Sequence, residues 1–416
     1  MKILFIIPEE YQGNRWGGVT TSIVQLSSSL AHLGHNVSVI TPGSINTDIY
    51  QNGVHFIKIT HPSSQSFIQK VIHRILQFMS SEFRDRIYWA ESVSNYIKLY
   101  SKFDIIEAPE WGSSTLFFPF HKFPPVVIRL HRSWYQYVQD NQLPISFSLK
   151  AIDLLERWCI ATASAVTSPT HFMLSRYPLI HWFLRVRHAP VSIIPYGINV
   201  KNIKKSIFNT QIKHQYILTV GRVEVGKGSL LLINAFISLN INYPKIQLVF
   251  IGEDTKMYIK GYMTSYIDYL RKQLSTRHMQ HRVIFIPPKQ QVKLLPYYQQ
   301  CLFYVTPSVG HENMSLALLE AIAAGKAALG SKTGGTPEVI QDNITGLLFN
   351  SKSESDLAQK MRYFLDHPEF RIKCETQATK LSRRYDIVHI TRQMTEFYIK
   401  VIHVSNQNPI ASTANQ

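Results

Sequence analysis

YVTPSVGHENMSLALLEAIAAGKAALGSKTGGTPEVI, Tyr304 to Ile340, is the stretch that decides the fold. It opens as a short apolar strand ending at Thr306-Pro307, and a loop follows from Ser308 to Glu312. A helix is predicted from about Asn313 to Ala324, where Gly325 stops it. Lys326 to Ser331 reads as a second strand leading into Gly334-Gly335. Thr336 is placed to cap a further helix, with Pro337 at its first position and Glu338 in its first turn. Two helix N-termini then lie at the same ends of neighbouring strands, and their N–H groups and positive dipole ends suit a phosphate. Glu312 stands just before the first helix and Glu320 eight residues on, roughly 12 Å along a helix axis. A diphosphate docked there would have one acid beside a sugar and the other beside a ribose. An ordinary strand–helix–strand–helix unit with solvated acids is the plainer alternative; spacing, glycines and order together favour the ligand reading.

A second glycine-rich turn lies upstream. The strand Tyr216–Val220 runs into Gly221-Arg222-Val223-Glu224-Val225-Gly226-Lys227-Gly228, which sets two cations against one diphosphate. Arg222 can grip oxygens with a planar fork and Lys227 supplies a compact charge. The leading glycine spacing excludes a P-loop.

Glu312-x7-Glu320, the small-residue helix end Ala323-Ala324-Gly325, the Gly-Gly-x-Pro-Glu run and the Gly-Arg…Lys-Gly element together resemble the retaining glycosyltransferases of the two-Rossmann-domain (GT-B) type, and more narrowly the GT4 family. The resemblance covers nearly the whole chain and is most specific in the second half. It implies an α/β fold of two doubly wound parallel-sheet domains facing a cleft, with a C-terminal helix crossing back to the first domain. It further implies transfer of a hexose from a nucleotide diphosphate sugar to a carbohydrate or lipid-linked acceptor, with retention of configuration. By the same resemblance Arg222 and Lys227 stabilise the leaving nucleotide, Glu312 holds donor-sugar hydroxyls and Glu320 the ribose. Backbone of Asn313, Met314 and Ser315 meets the donor, and backbone near Ile286 reads the base. Relatives carry Phe-Gly-Leu where this chain has Asn313-Met314-Ser315, and Gly where it has Pro287-Pro288; these departures bear on the sugar-side shape and the base preference.

The first half begins as an α/β unit. Lys2–Ile7 is a buried strand, a loop runs from Pro8 to Gly18, Val19–Leu33 is helical, and Asn36–Thr41 is the next strand. Gly17-Gly18 before the helix is a tight turn or, beside the resemblance, the loop that lets backbone approach the donor. Further strands are Asp104–Glu107, Pro125–Leu130, Ala165–Ser168 and Val191–Ile194. Glu110, at a strand end, is a candidate acceptor contact or part of a structural turn. His131 satisfies local backbone or, as the resemblance implies, makes a polar contact near the transferred sugar. The predicted domains are residues 1–198 with a returning helix 387–403, and residues 199–386. A polar linker (199–213) opens the second domain, and a disordered tail is expected over 404–416.

The 416 residues, with 45% hydrophobic and 17% charged, describe a well-cored protein of about two domains. Three scattered cysteines lack disulfide or metal spacing and fit a reducing, cytoplasmic compartment. The apolar run before Pro8 is too short for a signal core, and no stretch is expected to span a bilayer. A net charge of +17 attracts polyanions. No nucleic-acid motif accompanies it, so a peripheral membrane surface is the better expectation. Ser66–Trp89 and His171–His188, both basic and aromatic, are its candidates, with packed helices carrying a solvated basic side as the alternative. No cofactor or metal is expected, because no Asp-x-Asp pair occurs and the cations and helix amides can meet the leaving charge. An epimerase or phosphorylase on the same fold, or a catalytically silent sugar-binding subunit, are the competing readings.

Overall fold

The computed structural model describes residues 1–10, 17–60, 76–100, 102–120, 123–203, 210, 212–259 and 261–407. Two compact units divide the chain: Met1–Tyr135, Ile145–Gly197 and Ile387–Gln416 form the first, Gln136–Pro144 and Ile198–Asp386 the second. Residues 136–144, assigned to the first domain on sequence, thus join the second.

The first unit is built on an eight-stranded sheet of order β3-β4-β2-β1-β5-β6-β7-β8. Its strands are β1 Lys2–Ile6, β2 Asn36–Pro42, β3 Thr47–Gln51, β4 Val54–Ile59, β5 Ile105–Pro109, β6 Val126–Arg129, β7 Ala165–Ser168 and β8 Val191–Ile193. All neighbours pair in parallel except β3, which runs antiparallel to β4 at one edge. Successive side chains of β1 point to opposite faces. Ile3, Phe5 and Ile7 enter one apolar cluster, Leu4 and Ile6 another, so both faces are covered and the strand reads as a continuous apolar run.

Helix α1 (Gly18–His32) and the C-terminal helix Ile387–Gln407 cover the first face; Ile390, Met394, Phe397 and Val401 pack beside Ile3 and Phe5. Helix α2 (Ser81–Tyr100) covers the other through Trp89, Val93 and Ile97. A short helix α3 (Trp134–Asp140) begins in the first unit and ends in the second. Helices α4 (Phe147–Thr162) and α5 (Pro178–Val186) pack against each other.

The second unit has a six-stranded parallel sheet of order β13-β10-β9-β14-β15-β16. Its strands are β9 Tyr216–Val220, β10 Gln247–Ile251, β13 Val283–Ile286, β14 Tyr304–Thr306, β15 Ala328–Ser331 and β16 Gly346–Phe349. An antiparallel hairpin, β11 Lys256–Ile259 and β12 Tyr262–Ser265, was not anticipated from the sequence. Helix α6 (Ser229–Ile237) follows the first glycine turn, α7 (Leu316–Ala323) the second, and α8 (Thr336–Val339) is a single turn.

Three boundaries correct the sequence expectations. Helix α7 starts at Leu316, not near Asn313, because Ser315 is its N-cap and accepts the Leu318 N–H through its hydroxyl. Glu312 therefore lies in the loop, and the axial spacing drawn from a continuous helix does not apply. Thr336 does not cap α8: Gly335 is the N-cap, and the Thr336 methyl packs where a Cβ on Gly330 would lie. The C-terminal helix continues through Val404–Gln407, four residues into the expected tail. Within the expected linker, Val200–Ile203 is helical. Parts of that linker, of Ser66–Trp89, of the Pro8–Gly18 loop, and the tail beyond Gln407 lie outside the described residues.

Candidate active site

In the second unit the two glycine turns are stitched together by backbone. Val309 and Gly310 N–H groups both donate to the Gly226 carbonyl at 3.0 Å. Gly228 has φ +71°, and an added Cβ would sit 2.0 Å from the Pro307 carbonyl oxygen, so only glycine lets the turns approach this closely. On the other side the Gly335 N–H donates to the Glu312 carbonyl at 2.8 Å. That N–H belongs to the run expected to receive phosphate; here it fixes the Glu312 loop instead.

This scaffold brings the expected charged residues together. The Lys227 ammonium contacts both carboxylate oxygens of Glu312, and the Ser308 hydroxyl donates to one of them at 2.7 Å. Arg222, at the mouth of the first turn, pairs with the buried Glu224 at 3.3 Å and lies over the Tyr137 ring at 5.0 Å. Asn313, Met314 and Ser315 are all buried between Glu312 and α7.

Glu320, on the first turns of α7, is buried. Its two oxygens accept from Gln291 (2.7 Å) and Tyr298 (2.9 Å), and burial raises its pKa against the lowering effect of those bonds. Ile286 ends the edge strand β13, and its carbonyl accepts the Gly252 N–H at 3.0 Å.

The remaining expected residues belong to the first unit. Gly17 is the N-cap of α1, and Thr21 donates to its carbonyl through both N–H and hydroxyl at 3.0 Å. A Cβ on Gly18 would meet no atom within 4 Å among the described residues, so local packing alone does not demand glycine there. His131 follows β6 and is buried. Its ring stacks on Tyr196, whose hydroxyl bonds Nδ1. Burial, reinforced by the Arg129 charge, holds its pKa well below the usual histidine value and keeps the ring neutral. Glu110 has no exposed surface, and both its oxygens take the His131 N–H at 2.8 Å. This geometry is that of the structural turn rather than of an acceptor contact, since both carboxylate oxygens are engaged by the His131 N–H. Burial pushes the Glu110 carboxyl up to about 8.

Sequence reading missed Asp140 and Asn141. The Asp140 carboxylate accepts the His311 N–H at 2.9 Å and bonds His311 Nδ1 at 2.8 Å, while Asn141 Oδ1 accepts the Gly226 N–H at 3.0 Å. Gly310 makes room: its Cβ would lie 2.6 Å from Asp140 Cγ. Both side chains therefore brace the turns that carry Lys227 and Glu312. Asp140 and Asn141 stand in a segment that already carries Gln136, Gln139 and Gln142, so nothing set them apart, and no local spacing tied them to residues more than eighty positions away.

Comparison with known proteins gives the family and the fold. Residues 16–202 match the family model Glycosyltransferase Family 4, and residues 200–381 match Glycosyl transferases group 1. Over 180 residues the chain is 30% identical to lipopolysaccharide 1,2-N-acetylglucosaminetransferase of Salmonella typhimurium, a match covering 41% of this chain and 46% of that protein. The chain spans about half the length of the first curated relatives it matches. Sucrose-phosphate synthase from Thermosynechococcus elongatus superposes with a TM-score of 0.75 at 17% identity, over 97% of this chain and 100% of that one. HepE of Anabaena in complex with UDP-glucose gives 0.69 at 16%, over 96% and 100%. At these identities the two structures speak for the fold, and the family models for the lineage: the chain belongs to the GT4-like glycosyltransferases of the GT-B fold.

Proposed function

We propose that the protein transfers a hexose from a nucleotide diphosphate sugar to a carbohydrate or lipid-linked acceptor, with retention of anomeric configuration and without a metal ion. The observation that carries this reading is the Lys227–Glu312 pair, held on two interlocked glycine turns with Arg222 alongside. A diphosphate is the stronger anion, so on binding it would draw Lys227 away from Glu312. The released carboxylate is then an acceptor for two vicinal hydroxyls of the sugar. Arg222, Lys227 and the amides of Asn313, Met314 and Ser315 would stabilise the charge that develops on the leaving nucleotide, which is electrostatic catalysis by preorganised donors.

Glu320 takes the ribose in this reading. Each carboxylate oxygen has a second lone pair beyond the bonds from Gln291 and Tyr298, so it can accept a hydroxyl without losing either. His131, neutral, and Gly17-Gly18 are assigned to the transferred sugar as polar and backbone contacts. Retention and hexose transfer rest on the family resemblance. A lipid-linked acceptor draws support from the Salmonella relative, whose name describes a lipopolysaccharide product.

The test is turnover of UDP-, GDP-, ADP- and dTDP-hexoses with candidate acceptors in the presence of EDTA, with the product's anomeric configuration read by NMR. Product of the donor's own configuration in EDTA is expected. Inverted product, activity abolished by EDTA and restored by a divalent ion, or products formed equally without acceptor would each overturn the corresponding part.

A further inference from the structure

We propose that the first unit docks on an anionic lipid bilayer through the outward faces of α4 and α5. In α5, Leu179, Trp182, Phe183 and Val186 follow the i, i+3, i+4, i+7 spacing that normally faces a core. Here that stripe points away from the unit: the four are 81%, 65%, 40% and 56% exposed, while Leu184 and Tyr177 supply the buried side. The neighbouring α4 repeats the arrangement, with Phe147, Leu154 and Trp158 exposed on one stripe. Among the described residues Trp158 and Trp182 are the exposed tryptophans.

The segment that carries this face is predominantly basic. Between residues 145 and 190 the only acids are Asp153 and Glu156. Asp153 is engaged by Arg157 at 2.6 Å, and Glu156 is buried against Arg86 at 3.0 Å. Lys150, Arg185 and Arg187 are exposed. Arg187 reaches the Ala161 carbonyl and ties the end of α5 to the end of α4. An open groove of about 550 Å³ runs along α5, with His181 and Arg185 one turn apart beside Trp182. Tryptophans and aliphatics at the tip with cations around them suit a headgroup layer of negative charge, where indoles settle and each cation adds attraction.

The inference extends the proposed function by placing the enzyme where lipid-linked acceptors lie, but vesicle binding needs no turnover and is scored separately. Full-length protein is mixed with vesicles of phosphatidylcholine plus phosphatidylglycerol, with brominated lipid as tryptophan quencher, at low and high salt. Binding with quenching is expected at low salt, weaker at high salt and weaker on phosphatidylcholine alone. The double variant Leu179→Ser/Trp182→Ser should bind at least about tenfold less, and Arg185→Glu should remove the salt dependence in part, both with wild-type melting temperatures. No binding at low salt, wild-type binding by the double variant, or a solution dimer that this variant splits into monomers would overturn the proposal. The last result would mean that a second copy covers the face.

Discussion

Gly334 has φ +61°, and an added Cβ would lie 2.0 Å from the Glu312 carbonyl oxygen. A side chain there must push the Glu312 loop away, and the backbone resists the conformation as well. Gly334→Ala is expected to cost about 1–3 kcal/mol and to weaken donor binding, checked by chemical denaturation beside a binding titration; wild-type behaviour in both would deny the clamp. Lys227→Ala and Glu312→Ala act differently, since neither side chain supports the core. Each should keep the fold and lose turnover by about a hundredfold or more, the scale of removing one preorganised charge from a transition state. Steady-state kinetics beside circular dichroism decides it, and near-normal rates in both would displace the site. These residues were legible in the sequence because glycine and charge stand at fixed short intervals within one turn. The Gly335 N–H was misassigned because its partner, the Glu312 carbonyl, belongs to a separate turn twenty-three residues earlier.

Among elements, the short helix α3 does more than its length suggests. Its end carries Asp140, which grips both the N–H and the ring of His311, and the next residue holds Gly226. Asp140→Ala would leave the part-buried His311 N–H without its acceptor, a loss of about 1 kcal/mol. The turns should loosen and nucleotide-sugar affinity fall, with the chemistry per bound donor less affected; a lowered kcat at unchanged affinity would contradict this positioning role. At the end of β5, Glu110 gives a pH dependence. Its carboxyl is pushed up to about 8 by burial, with the Glu156 charge adding to the shift, whereas an unfolded glutamate titrates near 4.5. Between those values the folded chain binds the extra proton, so stability falls as pH rises through that interval. Glu110→Gln should flatten the decline of melting temperature between about pH 5 and 8, and an unchanged slope would count against the buried acid as its source. The strand runs were legible because both faces of each sheet are covered. The cap of α8 was not, because Gly335 is fixed by the Glu312 carbonyl of another turn; the start of α7 lies three residues later than expected although its Ser315 cap is local.

For the whole molecule, two parallel sheets could be read from alternating apolar strands and helical stretches, and the repeated glycine turns at strand ends are where the proposed donor is assigned. The antiparallel edge strand β3 escaped notice because it is exposed along its whole length, and the β11–β12 hairpin because its strands are four residues each, too short to show a period. The membership of residues 136–144 in the second unit also had no local signature. It follows from side-chain bonds to Gly226 and His311, which no window of sequence contains. What unites the account is the claim that a nucleoside diphosphate sugar is held by Lys227, Arg222 and Glu312. Isothermal titration calorimetry of the wild type and Lys227→Ala with UDP-, GDP-, ADP- and dTDP-hexoses tests it most directly. The account predicts that one donor binds the wild type and that the variant binds it at least about tenfold more weakly, a difference of about 1.4 kcal/mol. Equal affinity in the two proteins, or no binding of any of the four, would contradict it.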